Sequence, residues 1–326
     1  VSFKFDIHLN LEQFPTSRSS STLIYSSVDD LAEFIKRNEI NAAVTLYPRD
    51  GYSYMEQLAK KTPGVQHYGV QVLMGVDAND ATDIKKLKLD AIDNSKEYCR
   101  GIKIASHRGW WNRDGKIDSG LDYGGESSKI HKWLKQLPDN YIVSMHMQGD
   151  PINNSASIPM TVGMYAYKYP RLKFIMNHMG DYGQGGLSNK PKNYVTVTKD
   201  GETNLFPAFR YAHSRALCKA AVEYANIQHN VILDTSVYIP NKSEVLKDCY
   251  RWAIGSDYPF GKKDYLFVDE EKKFIRDMGE GAVQKMHENV KWFFEADYKE
   301  LITKNIELNN FSDSNKRTSR KVAQAA

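Results

Sequence analysis

The stretch "FDIHLN", Phe5 to Asn10, alternates three polar residues with three apolar ones. In an extended strand successive side chains point to opposite faces, so Asp6, His8 and Asn10 share one face while Ile7 and Leu9 share the other. Other short apolar runs end on groups of the same kind. Lys103 lies in "GIKIASH" and is followed by His107 and Arg108, and His146 lies in "SMHMQG". Asn177 and His178 end "IMNHMGD", Asp234 stands in "LDTS", and Asp257 stands in "GSDYPF". A lone histidine at a strand end is ordinarily a hydrogen-bonded structural residue. Three of them with a carboxylate, each ending a different strand, make the ligand mix that suits Zn²⁺ or a similar divalent ion. Such an ion, with one position left open, brings the pKa of bound water near neutrality, and the hydroxide attacks an amide or lactone carbonyl.

Chemistry at several strand ends requires a fold in which those ends converge. Eight β-rich apolar runs follow one another: "SFKFDIHL", "NAAVTLY", "YGVQVLMGV", "GIKIAS", "YIVSMHM", "LKFIMNH", "VILDTSV" and "RWAIGS". Near-continuous apolar runs suit strands covered on both faces, as in a parallel sheet. Amphipathic helical patterns separate most of them. Ser27 with Asp30 three positions on is a capping-box arrangement ahead of Val28, Leu31 and Ile35. "SSKIHKWLKQLPDN" puts Ile130, Trp133, Leu134 and Leu137 on one face and stops at Pro138, and "RALCKAAVEYANIQHN" leads into the seventh run. Eight strands alternating with helices predict an α/β chain folded as a (β/α)8 barrel over residues 1–300. No GxGxxG follows the first run, which argues against dinucleotide binding. Two connections are long: 11–26, and the insertion 184–210 after the sixth strand, where "YVTVTKDGETNLF" reads as a hairpin turning at Asp200-Gly201. Both leave the C-terminal ends of strands, where barrels carry active sites, so a lid is expected of the insertion.

With 326 residues and 41% hydrophobic content the chain can bury one large core. Of the net charge of +4, Lys316, Arg317, Arg320 and Lys321 in the 301–326 tail account for four positive charges, so the body is near neutral. That excludes a nucleic-acid footprint on the folded part and predicts a disordered basic tail. Cys99, Cys218 and Cys249 are scattered and odd in number, which fits reduced thiols in a cytoplasmic protein. No apolar run reaches the roughly 18 residues of a membrane span, and the opening "VSFKFD" is unlike a signal peptide.

Taken in order, "DIHLN", "GIKI", "SMHMQG", "IMNHMGDYG", "NVILDTS" and "AIGSDYPFG" resemble the amidohydrolase superfamily, in particular its amidohydrolase-related (type 2) branch of metal-dependent hydrolases and non-oxidative decarboxylases. The likeness runs to about Phe294 and includes "HENVKWFF" with Asn289. It implies a TIM barrel with one divalent ion, zinc or else manganese, held by His8, His146 and Asp257, with His178 a ligand or an acid/base group and Asp257 also able to take a proton from bound water. Asn10 departs from the pattern, which has a second histidine there; either Asn10 stays at that place or Asp6 joins His8 as ligand. Lys103 resembles the carboxylated bridging lysine of two-metal members, a role the single-metal branch lacks. His107, Arg108, Trp110, Trp111, Arg210 and His213 are candidates for substrate contact, and Asp234 and Ser236 for support. The expected function is hydrolysis of an amide or lactone in a small polar substrate. The alternatives are decarboxylation of a small carboxylic acid on the same scaffold, or a ligand-binding barrel with a degenerate metal site. A homodimer is the family-level expectation.

Overall fold

The structure, a computed structural model, describes residues 3–11, 27–48, 51–73, 90–104, 129–147, 159–180, 196–197, 203–204, 206–236, 242–258 and 267–304. The connection 12–26, His107, Arg108, Trp110 and Trp111, most of the insertion and Lys316, Arg317, Arg320 and Lys321 of the tail lie outside them, whereas 301–304, expected to be disordered, are helical with Leu301 buried.

Eight strands form one sheet: β1 (Phe5–Asn10), β2 (Ala42–Tyr47), β3 (Gln66–Leu73), β4 (Cys99–Ile104), β5 (Ile142–Met145), β6 (Lys173–Met176), β7 (Val231–Asp234) and β8 (Trp252–Ala253). They neighbour one another in chain order and every pair is parallel. The sheet closes on itself through the segment after β8. Ile7 N donates to Ile254 O at 3.1 Å, Asp257 N to His8 O at 2.9 Å and Asn10 N to Tyr258 O at 2.9 Å. Closure leaves no edge strand, and it gives the (β/α)8 TIM barrel expected from the eight apolar runs. Thr196–Val197 and Thr203–Asn204 pair antiparallel, as the hairpin reading of the insertion requires.

The helices are α1 (Val28–Arg37), α2 (Tyr52–Lys61), α3 (Lys129–Gln136), α4 (Pro159–Lys168), α5 (Phe206–Ile227), α6 (Lys242–Leu246), α7 (Phe267–Met278) and α8 (Glu280–Glu295). The Ser27–Asp30 capping box forms in both directions, each backbone N–H donating to the other residue's side chain at 3.1 Å. None of the described helices is long and apolar enough to cross a membrane.

The C-terminal carbonyls of a helix have no partner within the helix, and here side chains at strand beginnings supply hydrogens. Asn38 donates to Phe34 O of α1 and Thr62 to Leu58 O of α2. Arg171 reaches the carbonyls of Leu134, Lys135 and Leu137 behind α3. Asn230 reaches those of Ala166, Tyr169 and Leu172 behind α4. Arg251 closes α5 through Ala225, Asn226 and Gln228, and buried Lys173 closes α8 through Phe294 O at 2.8 Å and Ala296 O at 2.7 Å. Five of these six donors are cations or amides with several hydrogens, suited to the negative pole of a helix. These locks sit where strands begin. The opposite ends are left for chemistry.

Phe5 of β1 stacks on Phe294 at 5.0 Å and on Tyr68 at 5.8 Å, tying the first strand to α8 and to β3. Cys99, Cys218 and Cys249 are all buried free thiols, as the scattered spacing predicts. His67 on β3 is buried, with Thr45 Oγ1 at 3.3 Å from Nδ1 and Thr62 Oγ1 at 2.8 Å from Nε2. Burial pushes its imidazole from 6.5 down to about 4. The unfolded chain binds a proton below about 6.5 where the folded chain does not, so this residue's contribution is complete above that pH. It is lost as the pH falls toward 4, at about 1.4 kcal/mol per unit. His67→Gln is therefore expected to lose less melting temperature than the parent between pH 7 and 4.5. Parallel curves for the two proteins would remove this account.

Candidate functional site

The C-terminal ends of β1, β4, β5, β6, β7 and β8 bring one set of polar groups together, and His8 is its centre. His8 Nδ1 lies 2.7 Å from Asp234 Oδ2, and Nε2 lies 2.9 Å from Lys103 Nζ and 3.3 Å from Asp257 Oδ1. The His8 ring stacks on His178 with centroids 5.2 Å apart, and His146 meets His178 edge-on at 4.8 Å. His8, His178 and Asp234 are buried, and one ligand atom from each lies within 4.8 Å of the others. Among the described residues no other His, Cys, Asp and Glu set of three or more comes so close, and this one could hold a metal ion.

Proton positions follow from what each partner can offer. An ammonium group has only hydrogens, so at 2.9 Å Lys103 requires a lone pair on His8 Nε2. The ring proton is then on Nδ1, directed at Asp234. Asn177 Nδ2 lies 3.0 Å from that same Nδ1, while Asn177 Oδ1 lies 2.8 Å from Ser144 Oγ. Two donors cannot share a contact, so the amide satisfies both neighbours with its oxygen toward the ring and its nitrogen toward Ser144.

Three groups at the mouth are conformationally costly. His178 (φ 57°), Met179 (φ 52°) and Asp257 (φ 51°) adopt left-handed backbone without being glycine. Each costs on the order of 1–2 kcal/mol, and strain of this kind gathers where a side chain must be aimed. The turn at His178 bends the chain as it leaves β6, and that at Asp257 returns a carboxylate to His8.

The carboxyl groups have different surroundings. Burial by itself would raise Asp234, but the imidazoles of His8 and His178 and the Ser236 hydroxyl hold it well below the usual carboxylate range. Burial raises Asp257, against the opposing pull of His8, Lys103 and the Asn10 amide. Its side chain keeps 18% exposure, so it is the carboxyl of the three that solvent or substrate can reach. Asp6 is fully buried one layer deeper. Its Oδ1 accepts from His8 N at 2.9 Å and Ser256 N at 3.0 Å, while Oδ2 has no hydrogen-bond partner among the described residues. Burial pushes this carboxyl up to about 7, the Ser256 side chain and the two amides opposing.

The sequence reading left open whether Asp6 or Asn10 stands beside His8 as ligand. Asp6 clasps the backbone of β1 to that of the closing segment. Asn10 donates through Nδ2 to Asp257 Oδ1 at 3.0 Å and to Tyr258 O at 3.1 Å, and so aims Asp257. Asp234, assigned to support from sequence, packs tightest on His8. Of Arg210 and His213 only the helical backbone of α5 belongs to the described part. Ser144 went unnoticed in the sequence although alternation puts it on the His146 face. Gly255 also went unnoticed. A Cβ there would lie 2.1 Å from Asp234 Oδ1 and 3.0 Å from His8 Cβ, so the absence of a side chain makes room for the carboxylate.

Gly255→Ala is expected to push Asp234 off His8 and destabilise the chain by about 1–3 kcal/mol in urea unfolding. Gly281→Ala, in α8 with nothing within 4 Å of the new methyl, is expected to be neutral or to stabilise by up to about 1 kcal/mol. Equal effects at the two glycines would contradict the packing described for Asp234.

No protein-family model and no curated protein matches this chain. Solved structures do. One, provisionally named a 2-pyrone-4,6-dicarboxylic acid hydrolase, is from Acinetobacter baumannii with citric acid bound; it is 13% identical, with a TM-score of 0.53, over 90% of this chain and 99% of its own. Another of the same provisional name, from Pseudomonas putida, is 14% identical, with a TM-score of 0.51, over 91% of this chain and all of its own. At that identity the likeness is one of fold, and the whole barrel shares it.

Proposed function

We propose that this chain is a hydrolase that adds water to the carbonyl of a lactone or amide in a small polar substrate, with a divalent ion, Zn²⁺ or Mn²⁺, at the barrel mouth. The observation that carries the reading is the convergence of His8, His146, His178, Lys103, Asp234 and Asp257 on the C-terminal ends of parallel strands, where barrel enzymes work. The sequence resemblance to the amidohydrolases agrees with it. The names of the two structural neighbours make lactones bearing carboxylates the first substrate class to try.

The residues fit a cation. The Lys103 ammonium already stands beside His8 Nε2 and close to Asp257, so this position accommodates positive charge. An ion taking the place of the Lys103 ammonium on His8 Nε2 would be held by His8, His178 and His146 with Asp257 as the carboxylate, while Asp234 orients His8 from behind. When bound it would supply Lewis-acid activation of water and of the carbonyl. The chain's own groups do the rest. Asp257, raised by burial and partly open, accepts a proton from the attacking water and returns it to the leaving group. Asn10 holds that carboxyl in line. Lys103, turned from His8 once an ion takes its place, would offer a positive charge to the oxygen on which negative charge develops, in a setting where water competes poorly.

Elemental analysis of protein purified without chelator is expected to find close to one Zn or Mn per chain, and His146→Ala is expected to lose it. Asp257→Asn should keep the fold while turnover of lactones or amides falls at least about 100-fold. The same screen includes aromatic carboxylic acids with detection of released CO₂, which would signal the decarboxylase instead. Absence of metal, no melting shift on adding it and no turnover of any of these substrates would together overturn the reading.

A further inference from the structure

The hydroxyl of Ser236 touches three groups of the mouth: Asp234 Oδ2 at 2.6 Å, His178 Nδ1 at 2.8 Å and His8 Nδ1 at 3.1 Å. A hydroxyl has one hydrogen to give and two lone pairs with which to accept. Asp234 receives hydrogens from Ser236 N at 2.8 Å and from His178 N at 3.3 Å, besides that of His8 Nδ1, and is ionised. An ionised carboxylate has no hydrogen to offer. The short contact therefore forms only if Ser236 gives its own hydrogen to Asp234, as a charge-assisted bond. Were that hydrogen turned to His178 instead, lone pairs of two oxygens would face each other at 2.6 Å beside a full negative charge.

With its hydrogen committed, the Ser236 oxygen can only accept, and the contact with His178 then needs a hydrogen on Nδ1. We infer that Ser236 sets the tautomer of His178, holding the ring proton on Nδ1 so that Nε2 carries the lone pair. Asp234 does the same to His8 directly. One carboxylate thus gives both stacked rings the same tautomer, one by contact and one through a hydroxyl. Ser236 is a positioning residue: it acts on chemistry through His178. Its own place is fixed by the turn in which its N–H returns to Asp234 Oδ1, two residues back. The inference goes beyond the hydrolase reading and does not rest on it, since a lone pair on Nε2 serves a metal ion and a proton alike.

The test is long-range ¹H–¹⁵N correlation on full-length, ¹⁵N-histidine-labelled protein at a pH where the rings are neutral, with His178 assigned by its loss in His178→Gln. Spectra are taken on protein as purified and after chelator treatment. Both are expected to show His178 protonated at Nδ1 and bare at Nε2. Ser236→Ala should raise the Nε2–H population several-fold, and Ser236→Thr, which keeps the hydroxyl, should restore the parent pattern. Melting curves of each variant confirm that the fold is intact. If Ser236→Ala does not fold, Ser236→Cys, a poorer acceptor of similar size, takes its place with the same two readings. An Nε2–H pattern in the parent protein overturns the inference. So does a Nδ1–H pattern that survives in the folded variant, or one seen only before chelator treatment, because a bound metal and not Ser236 would then set it. None of these readings uses turnover, so a failed substrate search leaves this inference standing, and its failure leaves the hydrolase reading standing.

Discussion

Closure of the sheet between β1 and the segment after β8 places every group at the mouth in relation to His8. Three backbone hydrogen bonds make the seam, and the buried Asp6 carboxylate bridges it by accepting from the amides of His8 and Ser256. Because Asp257 N donates to His8 O, the Asp257 side chain leaves the backbone beside the His8 ring. Without the seam, β1 and β8 would be two edges and His8 would face neither Asp257 nor Asp234. The hydrogen bonds that complete the barrel also assemble the candidate site.

The two ends of the barrel divide the work. Where strands begin, Asn38, Thr62, Arg171, Lys173, Asn230 and Arg251 close helix C-termini, so each of these helices is tied to the start of a strand. Where strands end, the chain spends stability: two site residues adopt left-handed backbone, and the carboxyl groups of Asp6 and Asp234 are withdrawn from water, that of Asp257 in part. A rigid lower end permits a strained upper one, since the cost of the latter need only stay below the stability the rest of the barrel supplies.

The mouth is a network of proton positions as much as a set of ligands. Lys103 and Asp234, on opposite sides of His8, both demand the same tautomer, and Ser236 carries the demand to His178. Asp257 is the carboxyl left raised and partly open, in contrast to Asp234, which charge and hydrogen bonds keep ionised. Neighbouring carboxyl groups with opposite tendencies are what a site needs if one is to orient and the other to exchange protons.

Much of this was legible in the residues. The eight apolar runs, the Ser27–Asp30 cap and the polar groups at strand ends are local patterns, set by burial on two faces, by capping and by strand alternation, and they predicted the barrel and most of the mouth. Alternation also put Asp6, His8 and Asn10 on one face, but it could not rank them. Depth within the barrel made Asp6 a backbone clasp and Asn10 a hand on Asp257. Nor could spacing show that Asp234 would lie closer to His8 than Asp257 does, because that depends on how the last two strands meet the first. The missing side chain of Gly255 gains meaning only from what fills its place. Sequence determined which groups arrive at the mouth, since hydrophobic periodicity fixes strand and face. Tertiary structure decided which atom of each group meets which, since hydrogen bonds a few ångströms long join residues more than 200 positions apart.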